Sequence, residues 1–261
     1  MGFGFEGNAD LDKSTTFTYL NFKSTFKNTS FMEFGNFHKA ASKDFWITRG
    51  NKDADFIKKP ENYGTSLQYK GPSKNFFNYF LEIKREKGQQ WGFSALGFST
   101  SYTAKIDLAL KDNLKFSLMH QHSDEDNWLN WEKDNLLSLY ENKKQRTTVA
   151  SLNWFGGDRH ELRMKAQMVA FTARNPSAYL GDSSGSLNSF DLDLPPLTLG
   201  DLAFQVRYRY EILPLAYLYV VYSKGGRIVA YDEEDGLGEI YKRPWNDPQA
   251  DTFTVKVRYR F

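Results

Sequence analysis

The sequence lacks several features that would place the chain in a common class. It contains no cysteine; envelope proteins can hold disulfides but do not require them, so this composition is compatible with a periplasmic or surface location. No stretch approaches the roughly 18 consecutive apolar residues of a membrane-spanning helix, which excludes a helical membrane protein. The formal net charge is only +2, and so weak a charge indicates no nucleic acid partner.

A signal peptide is also missing from the first residues, which show no basic segment followed by an apolar run. We therefore expect a mature or truncated form, or the C-terminal part of a longer protein. Aromatic residues, in contrast, are abundant at 16% of the chain. The mean hydropathy of −0.61 would suit a soluble protein, but only alternate residues of a membrane β-strand face lipid, and such barrels carry aromatic girdles at both interfaces.

The last eleven residues, DTFTVKVRYRF, alternate strictly between apolar and polar side chains. The apolar positions are Phe253, Val255, Val257, Tyr259 and Phe261. This period of two predicts a strand with one apolar face, and about 9–11 residues are enough for a tilted strand to cross a bilayer. An apolar face that ends on Phe is typical of the last strand of a bacterial outer-membrane β-barrel, where it acts as a signal for the barrel-assembly machinery.

The whole chain repeats this pattern in about twelve strands, and short and long connections alternate between them. The long connections cover about 39–63, 123–144, 173–199 and 225–250, and the short ones include 111–113, 155–159 and 213–215. Short periplasmic turns and longer extracellular loops characterise transmembrane barrels. The sequence therefore predicts a single domain over 1–261, an all-antiparallel, up-and-down β-barrel of the bacterial outer membrane, in contact with its lipid and lipopolysaccharide.

Four segments resemble the C-terminal barrel of the DUF5916 family. They are Asn153-Trp154-Phe155 with His160-Glu161-Leu162-Arg163, then QVRYRYEILPL from Gln205, LYVVYSKGG from Leu218, and the ending VKVRYRF. The resemblance is clearest over about 145–261. It implies an outer-membrane barrel that, in full-length members, follows a β-sandwich often labelled as a carbohydrate-binding family 9-like domain. This chain has no room for that sandwich, and the resemblance supplies no catalytic motif.

A set of basic residues falls on the polar parity of the C-terminal strands, and we call it the basic cluster. It comprises Arg163, Lys165, Arg207, Arg209, Arg258 and Arg260. The predicted topology places these side chains at the periplasmic half of the lumen, where rings of Arg or Lys favour the passage of anions. The alternative is that they pair with Glu161, Glu211, Glu82 and Lys84 to rigidify a narrow barrel.

Other polar groups give weaker signals. His120 and His122 share a strand face and precede Asp124, so they are the candidate metal ligands, although a polar rim at the headgroup level explains them more simply. The acidic run Asp232 to Asp235 lacks EF-hand spacing and reads as a solvated loop, with cation bridging to lipopolysaccharide as the alternative. Trp128, Trp131 and Trp245 suit interface anchoring better than stacking on sugars.

The leading functional prediction is an outer-membrane pore or transport-type channel for small solutes. The alternative is a membrane anchor or scaffold for a missing N-terminal carbohydrate-binding-like domain. An outer-rim hydrolase ranks third, because none of the four histidines lies in a recognisable nucleophile motif. We expect no cofactor, and the partners beyond the membrane would be a small solute or carbohydrate.

Overall fold

The computed structural model describes residues 2–7, 13–49, 53, 55–72, 74, 76–88, 97–231 and 236–259. The elements in chain order are β1 (Gly2–Gly7), β2 (Lys13–Thr25), β3 (Phe31–Lys39), β4 (Ser42–Asp44), β5 (Ile57–Lys59), β6 (Asn62–Lys70), β7 (Phe77–Lys87), β8 (Phe98–Lys111), β9 (Leu114–Lys133), β10 (Leu136–Gly156), β11 (His160–Gly181), β12 (Leu187–Phe190), β13 (Leu197–Leu213), β14 (Ala216–Ala230), α1 (Leu237–Asn246) and β15 (Ala250–Arg258). No helix in this part of the chain has the length and hydrophobicity to cross a membrane.

Thirteen of these strands form one antiparallel sheet, in which twelve follow the order β1-β2-β3-β6-β7-β8-β9-β10-β11-β13-β14-β15 and the short strand β12 pairs with β11. Strands that are consecutive in the sheet are joined directly or across the short strands β4, β5 and β12, so the topology is up-and-down. This confirms the predicted fold class, an antiparallel β-barrel of the outer-membrane type with about twelve strands. Within the described residues the end strands β1 and β15 each pair with only one neighbour, and every residue of β15 is exposed.

The register assigns polar and apolar residues of neighbouring strands to opposite faces of the sheet. Arg163 lies opposite Asn153 and Arg207 on one face, while the next row brings together Leu162, Trp154 and Tyr208 on the other. We call the exposed part of this second face the apolar belt. It comprises Phe22, Phe34, Leu67, Leu81, Ile83, Tyr102, Ile106, Leu110, Phe253, Val255 and Val257, all exposed.

The three central strands β9, β10 and β11 extend far beyond the apolar belt. The sequence did not predict this extension. Residues 123–144, expected as a loop, continue β9 and β10 into a long hairpin that turns at Asp134, whose φ is +47°. Glu125 and Lys143 pair across this hairpin at 2.9 Å. This hairpin contains buried apolar residues such as Leu129 and Leu137, but they do not alternate strictly with polar residues, and strict alternation was the pattern used to locate the strands.

The two short strands β4 and β5 form a hairpin on the polar side of the sheet, which we call the strap. Ile57 of the strap is fully buried against Leu129, Leu137 and Leu139 of the long hairpin. The Lys58 amide donates to the Gly185 carbonyl at 2.8 Å, which ties the strap to the turn between β11 and β12. The described residues of the predicted long loop over 39–63 therefore include a folded element that packs against the long hairpin on the polar face.

Candidate functional site

The part of the basic cluster that the structure brings together surrounds one buried carboxylate. Glu161 on β11 is only 3% exposed. Arg209 Nη2 lies 2.9 Å from Oε2 of this carboxylate, and Arg207 Nη2 lies 3.6 Å from its Oε1. Arg163 Nε also contacts Oε1. The register explains the convergence, because Arg209 lies directly opposite Glu161 on β13 and Arg207 lies opposite Arg163.

Positive charge is in excess at this carboxylate. Three guanidinium groups meet one Glu161, and their side chains remain 38–51% exposed. Lys165 follows Arg163 on the same face of β11 and lies opposite Gln205 of β13. Arg258 of β15 lies opposite Tyr217 of β14. Neither Lys165 nor Arg258 forms an ion pair with another described residue. The polar face therefore offers accessible cations to solvent, as the pore hypothesis requires.

The alternative pairing scheme for the basic cluster applies only in part. Glu161 neutralises one charge, as that scheme expected. Glu82 instead accepts a hydrogen bond from Gln68 at 2.8 Å, and Lys84 pairs with Glu86 on its own strand. Arg260 lies outside the described residues, as do Phe261 and Asp232 to Asp235.

A second polar site lies at the upper end of the same face, and we call it the mouth cavity. This space of about 520 Å³ is lined by residues of the strap, the start of β6 and the long hairpin, among them Trp46, Asn62, Glu125 and Lys143. Strands β7 and β8 separate β6 from β9 in the sheet order. Because side chains this far apart line one cavity, the sheet curves towards its polar face at this level.

The wall of the mouth cavity contains aromatic rings and a buried polar atom that has no hydrogen-bond partner among the described residues. Lys143 Nζ lies 4.9 Å from the ring centre of Trp128 and 5.6 Å from that of Phe171. Asn62 is 9% exposed, and its Oδ1 is buried without a hydrogen-bond partner among the described residues. Trp46 is 88% exposed. The amide oxygen of Asn62 is therefore an unsatisfied acceptor in the wall of the cavity, and such a buried group is costly.

Sequence reasoning missed Trp46, Asn62 and Lys143 as site residues. The Asp44 carboxylate accepts hydrogen bonds from the amides of Trp46 and Ile47 at 2.8 and 3.0 Å, and this turn presents the indole. The Asp-x-Trp spacing in a polar loop was the available signal. No pattern in the sequence indicated that residues 44–62 and 125–143 line the same cavity, because their proximity depends on the curvature of the sheet.

The candidate metal ligands lie on the other face, where His122 is directly opposite Tyr102 of the apolar belt. His120 and His122 share that face as predicted, but they have separate partners. His120 Nδ1 lies 2.8 Å from Thr148 Oγ1, and His122 Nε2 lies 3.0 Å from Asp124 Oδ2. Among the described residues no group of three or more His, Cys, Asp or Glu side chains is arranged to hold a metal ion.

The four histidines also bear on the hydrolase hypothesis. His38 contacts Glu61 at 3.4 Å and His160 contacts the Tyr208 hydroxyl at 2.6 Å, while His120 and His122 have the partners given above. Within the described part of the chain, none of these hydrogen bonds is to a serine. The described residues therefore include no hydrogen-bonded Ser–His pair of the kind that activates a nucleophile.

Helix α1 covers the apolar face just above the belt, within the predicted 225–250 loop. Its Ile240 is 1% exposed and lies over Gly200, a position where any side chain would meet the helix backbone. Trp245 packs edge-on against Phe204, with ring centres 5.4 Å apart. The Tyr241 hydroxyl bonds Thr148 at 2.8 Å, and burial raises the pKa of this phenol.

The three tryptophans predicted as interface anchors occupy different environments. Trp245 lies at the belt edge, as an anchor should. Trp128 packs inside the aromatic cluster of Tyr140 and Phe171. Trp131 stacks beneath the Arg49 guanidinium at 4.0 Å. Only Trp245 thus has the position expected of an anchor at the lipid surface.

Comparisons with known proteins identify the fold. No model of a known protein family matches the chain, and no curated protein sequence matches it. The copper transporter OprC superposes with a TM-score of 0.51 at 10% identity, over 93% of this chain and 39% of OprC. The unliganded ferric citrate transporter FecA gives a TM-score of 0.48 at 11% identity, over 83% and 36%. LpxR from Salmonella typhimurium gives 0.31 at 8% identity, over 84% and 85%.

OprC is an outer-membrane β-barrel, so its likeness supports the fold class established by the topology. The chain spans about two fifths of the length of OprC. At 10% identity the likeness extends to the fold and to no residue of the candidate site.

Proposed function

We propose that the chain forms an outer-membrane β-barrel and that small polar solutes pass along the polar face of its sheet. The observation that carries this proposal is the contrast between the two faces of one sheet. One face exposes the apolar belt, while the other exposes the guanidinium groups around Glu161 below the mouth cavity. Accessible charge of one sign on a polar inner wall is the arrangement that selects solutes in channels.

The two polar sites suggest successive steps for a solute. The charged residues of the mouth cavity balance, because Asp44 and Glu125 are matched by Lys59 and Lys143. The basic cluster below carries net positive charge. The mouth cavity would therefore admit polar solutes of either charge, and the lower part of the path would favour anions.

Recordings from planar bilayers test this function. We expect the purified, detergent-folded chain to give stepwise conductance with a reversal potential on the anion-selective side in a salt gradient. Heat-modifiable migration on gels serves as the control for folding. A folded, inserted protein without conductance would contradict the pore and favour the scaffold alternative, which the tight Glu161 network and the resemblance to DUF5916 barrels support.

Membrane insertion through the apolar belt makes a separate prediction. Leu81→Arg places a charge on the belt, and we expect it to lower the free energy of unfolding in lipid by about 2–4 kcal/mol. The matched control is Thr103→Arg on the polar face, which lies opposite Glu82 and should change this free energy by less than about 1 kcal/mol. Urea unfolding in phosphatidylcholine vesicles, followed by tryptophan fluorescence, measures both. Equal effects of the two substitutions would argue against a lipid-facing belt.

A further inference from the structure

Two arginines of the basic cluster lie directly opposite each other on the polar face. Arg163 on β11 and Arg207 on β13 form one register pair. Like charges at opposite positions of antiparallel strands destabilise their pairing, so an anion close to both guanidinium groups would stabilise the sheet here. Glu161 serves this purpose only in part, because its Oε1 lies 3.6 Å from Arg207 Nη2, which is beyond the distance of a hydrogen bond.

The three guanidinium groups around Glu161 carry more N–H donors than this carboxylate can accept. An arginine has about five N–H donors and a carboxylate has about four lone-pair positions, so most donors of Arg163, Arg207 and Arg209 remain for other acceptors. The Glu161 side chain is buried, whereas the three arginine side chains are partly accessible to solvent. The donors that Glu161 does not use are therefore within reach of a dissolved anion.

Another arginine of the same face has no such excess of donors. Arg227 lies opposite Asp201, and its Nε and Nη2 donate to the two oxygens of that carboxylate at 2.8 and 2.9 Å. One carboxylate pairs with one arginine there, whereas Glu161 contacts three. The shortage of acceptors is thus a property of the residues around Glu161 and not of every arginine on the polar face.

The flanking strands add no counter-charge in the rows of Glu161 and its three arginines. The residues directly opposite on these strands are neutral. They are Asn153 and Phe155 of β10 and Tyr219 and Val221 of β14. On β15 the same rows contain Thr254 and Lys256, and the row after Lys256 contains Glu211 and Arg258, whose charges are opposite. The positive charge around Glu161 is therefore not balanced by these neighbours.

We propose that Arg163, Arg207 and Arg209 form a binding site, the arginine site, for the phosphate group of a small solute. A phosphate dianion would balance the two positive charges by which the guanidinium groups exceed Glu161. Its oxygens also match the fork of N–H donors on a guanidinium group, whereas a chloride ion has no paired oxygens. This inference rests on the proposed function, because it names the class of solute that passes along the polar face.

Isothermal titration calorimetry of the detergent-folded chain with inorganic phosphate tests the arginine site at about pH 8, where phosphate is mainly a dianion. Arg163→Lys plus Arg207→Lys keeps both charges and removes both forks. We expect this variant to bind phosphate about tenfold or more weakly than the wild type, because lysine offers a point charge in place of paired hydrogen bonds. Arg227→Lys is the matched control. It makes the same exchange on the same face and should change phosphate affinity by less than about twofold.

A single substitution keeps the test independent of the folding of the double variant. Arg207→Lys replaces the arginine that has no hydrogen bond to Glu161 and leaves the contacts of Arg163 and Arg209 with Glu161 intact. We expect it to weaken phosphate binding about threefold or more. In the wild type, phosphate should bind about tenfold more tightly than chloride, which is measured by competition.

Three outcomes would overturn the arginine site. They are undiminished phosphate binding by the folded Arg207→Lys variant, an equal loss of binding in Arg227→Lys, and equal affinities of the wild type for phosphate and chloride. Because binding is measured in detergent, it does not depend on conduction. A chain that binds phosphate without conducting would contradict the solute path alone, whereas a conducting chain without a preference for phosphate would contradict the arginine site alone.

Discussion

Replacing Lys165 and Arg258 by glutamate should reverse the ion preference of the conducting path from anions to cations. Both side chains lie on the polar face without an ion-pair partner among the described residues. Reversal of one charge about 8 Å from a passing ion in a water-like medium changes the interaction energy by about 1 kcal/mol. Two reversals, reduced by screening over about 10 Å at 0.1 M salt, should shift the permeability ratio by about fivefold or more.

The choice of these two positions follows from the structure. Arg207 and Arg209 are also basic, but they hold the Glu161 carboxylate, so their reversal would confound selectivity with misfolding. The matched control is Arg85→Glu plus Lys87→Glu, which makes the same charge change on the outer face. Reversal potentials in a salt gradient measure the shift. If the inner and outer variants move the reversal potential equally, the polar face does not line the path.

Removal of the Glu161 carboxylate should destabilise the barrel more than removal of any other described acid on this face. Glu161→Gln leaves three guanidinium groups near one another with no counter-charge. Breaking a fully buried ion pair costs about 3–5 kcal/mol, and the partial exposure of the arginines reduces our expectation to about 2 kcal/mol in the free energy of unfolding. Urea unfolding in vesicles provides the measurement.

Glu82→Gln is the control for the Glu161 variant. Glu82 lies on the same face but accepts a hydrogen bond from neutral Gln68, so an amide at this position should cost less than about 1 kcal/mol. A Glu161→Gln variant as stable as the wild type would show that solvent screens the guanidinium groups. In that case the network around Glu161 would contribute charge to the path but little rigidity to the wall.

The alternation of side chains predicted most of the fold, because a period of two reflects the geometry of a strand at any position. It located the twelve strands that follow one another in the sheet order from β1 to β15, but not the short strands β4, β5 and β12. It also assigned Arg163 and Arg207 to one face correctly. It did not predict the upper halves of β9, β10 and β11, where charged residues such as Glu125 and Lys143 interrupt the alternation. Helix α1 was not predicted, because Pro244, Gly236 and Gly238 are residue types that are typical of loops.

The candidate sites were harder to predict than the strands. The arginines around Glu161 come from neighbouring strands, so their meeting followed from strand order alone. The mouth cavity joins Asn62 to Lys143 across three intervening strands, and the position of α1 requires this helix to fold back over Gly200. Both depend on curvature and loop packing, which no local pattern encodes. The relation to DUF5916 barrels stays a prediction.

The unequal strand lengths give the barrel wall a slanted rim. Strands β9, β10 and β11 contain 20, 21 and 22 residues, whereas β3 and β6 contain nine each. At 3.3 Å per residue the difference corresponds to about 35–45 Å of strand, and it is divided between the two ends of the sheet, because Phe31 at the start of β3 lies in the register row of Met119 and not of Leu114. If the long hairpin faces the outside, as the predicted topology has it, one side of the opening to the polar face is walled by this hairpin. Diffusing solutes would then reach the polar face from the side of β3 and β6.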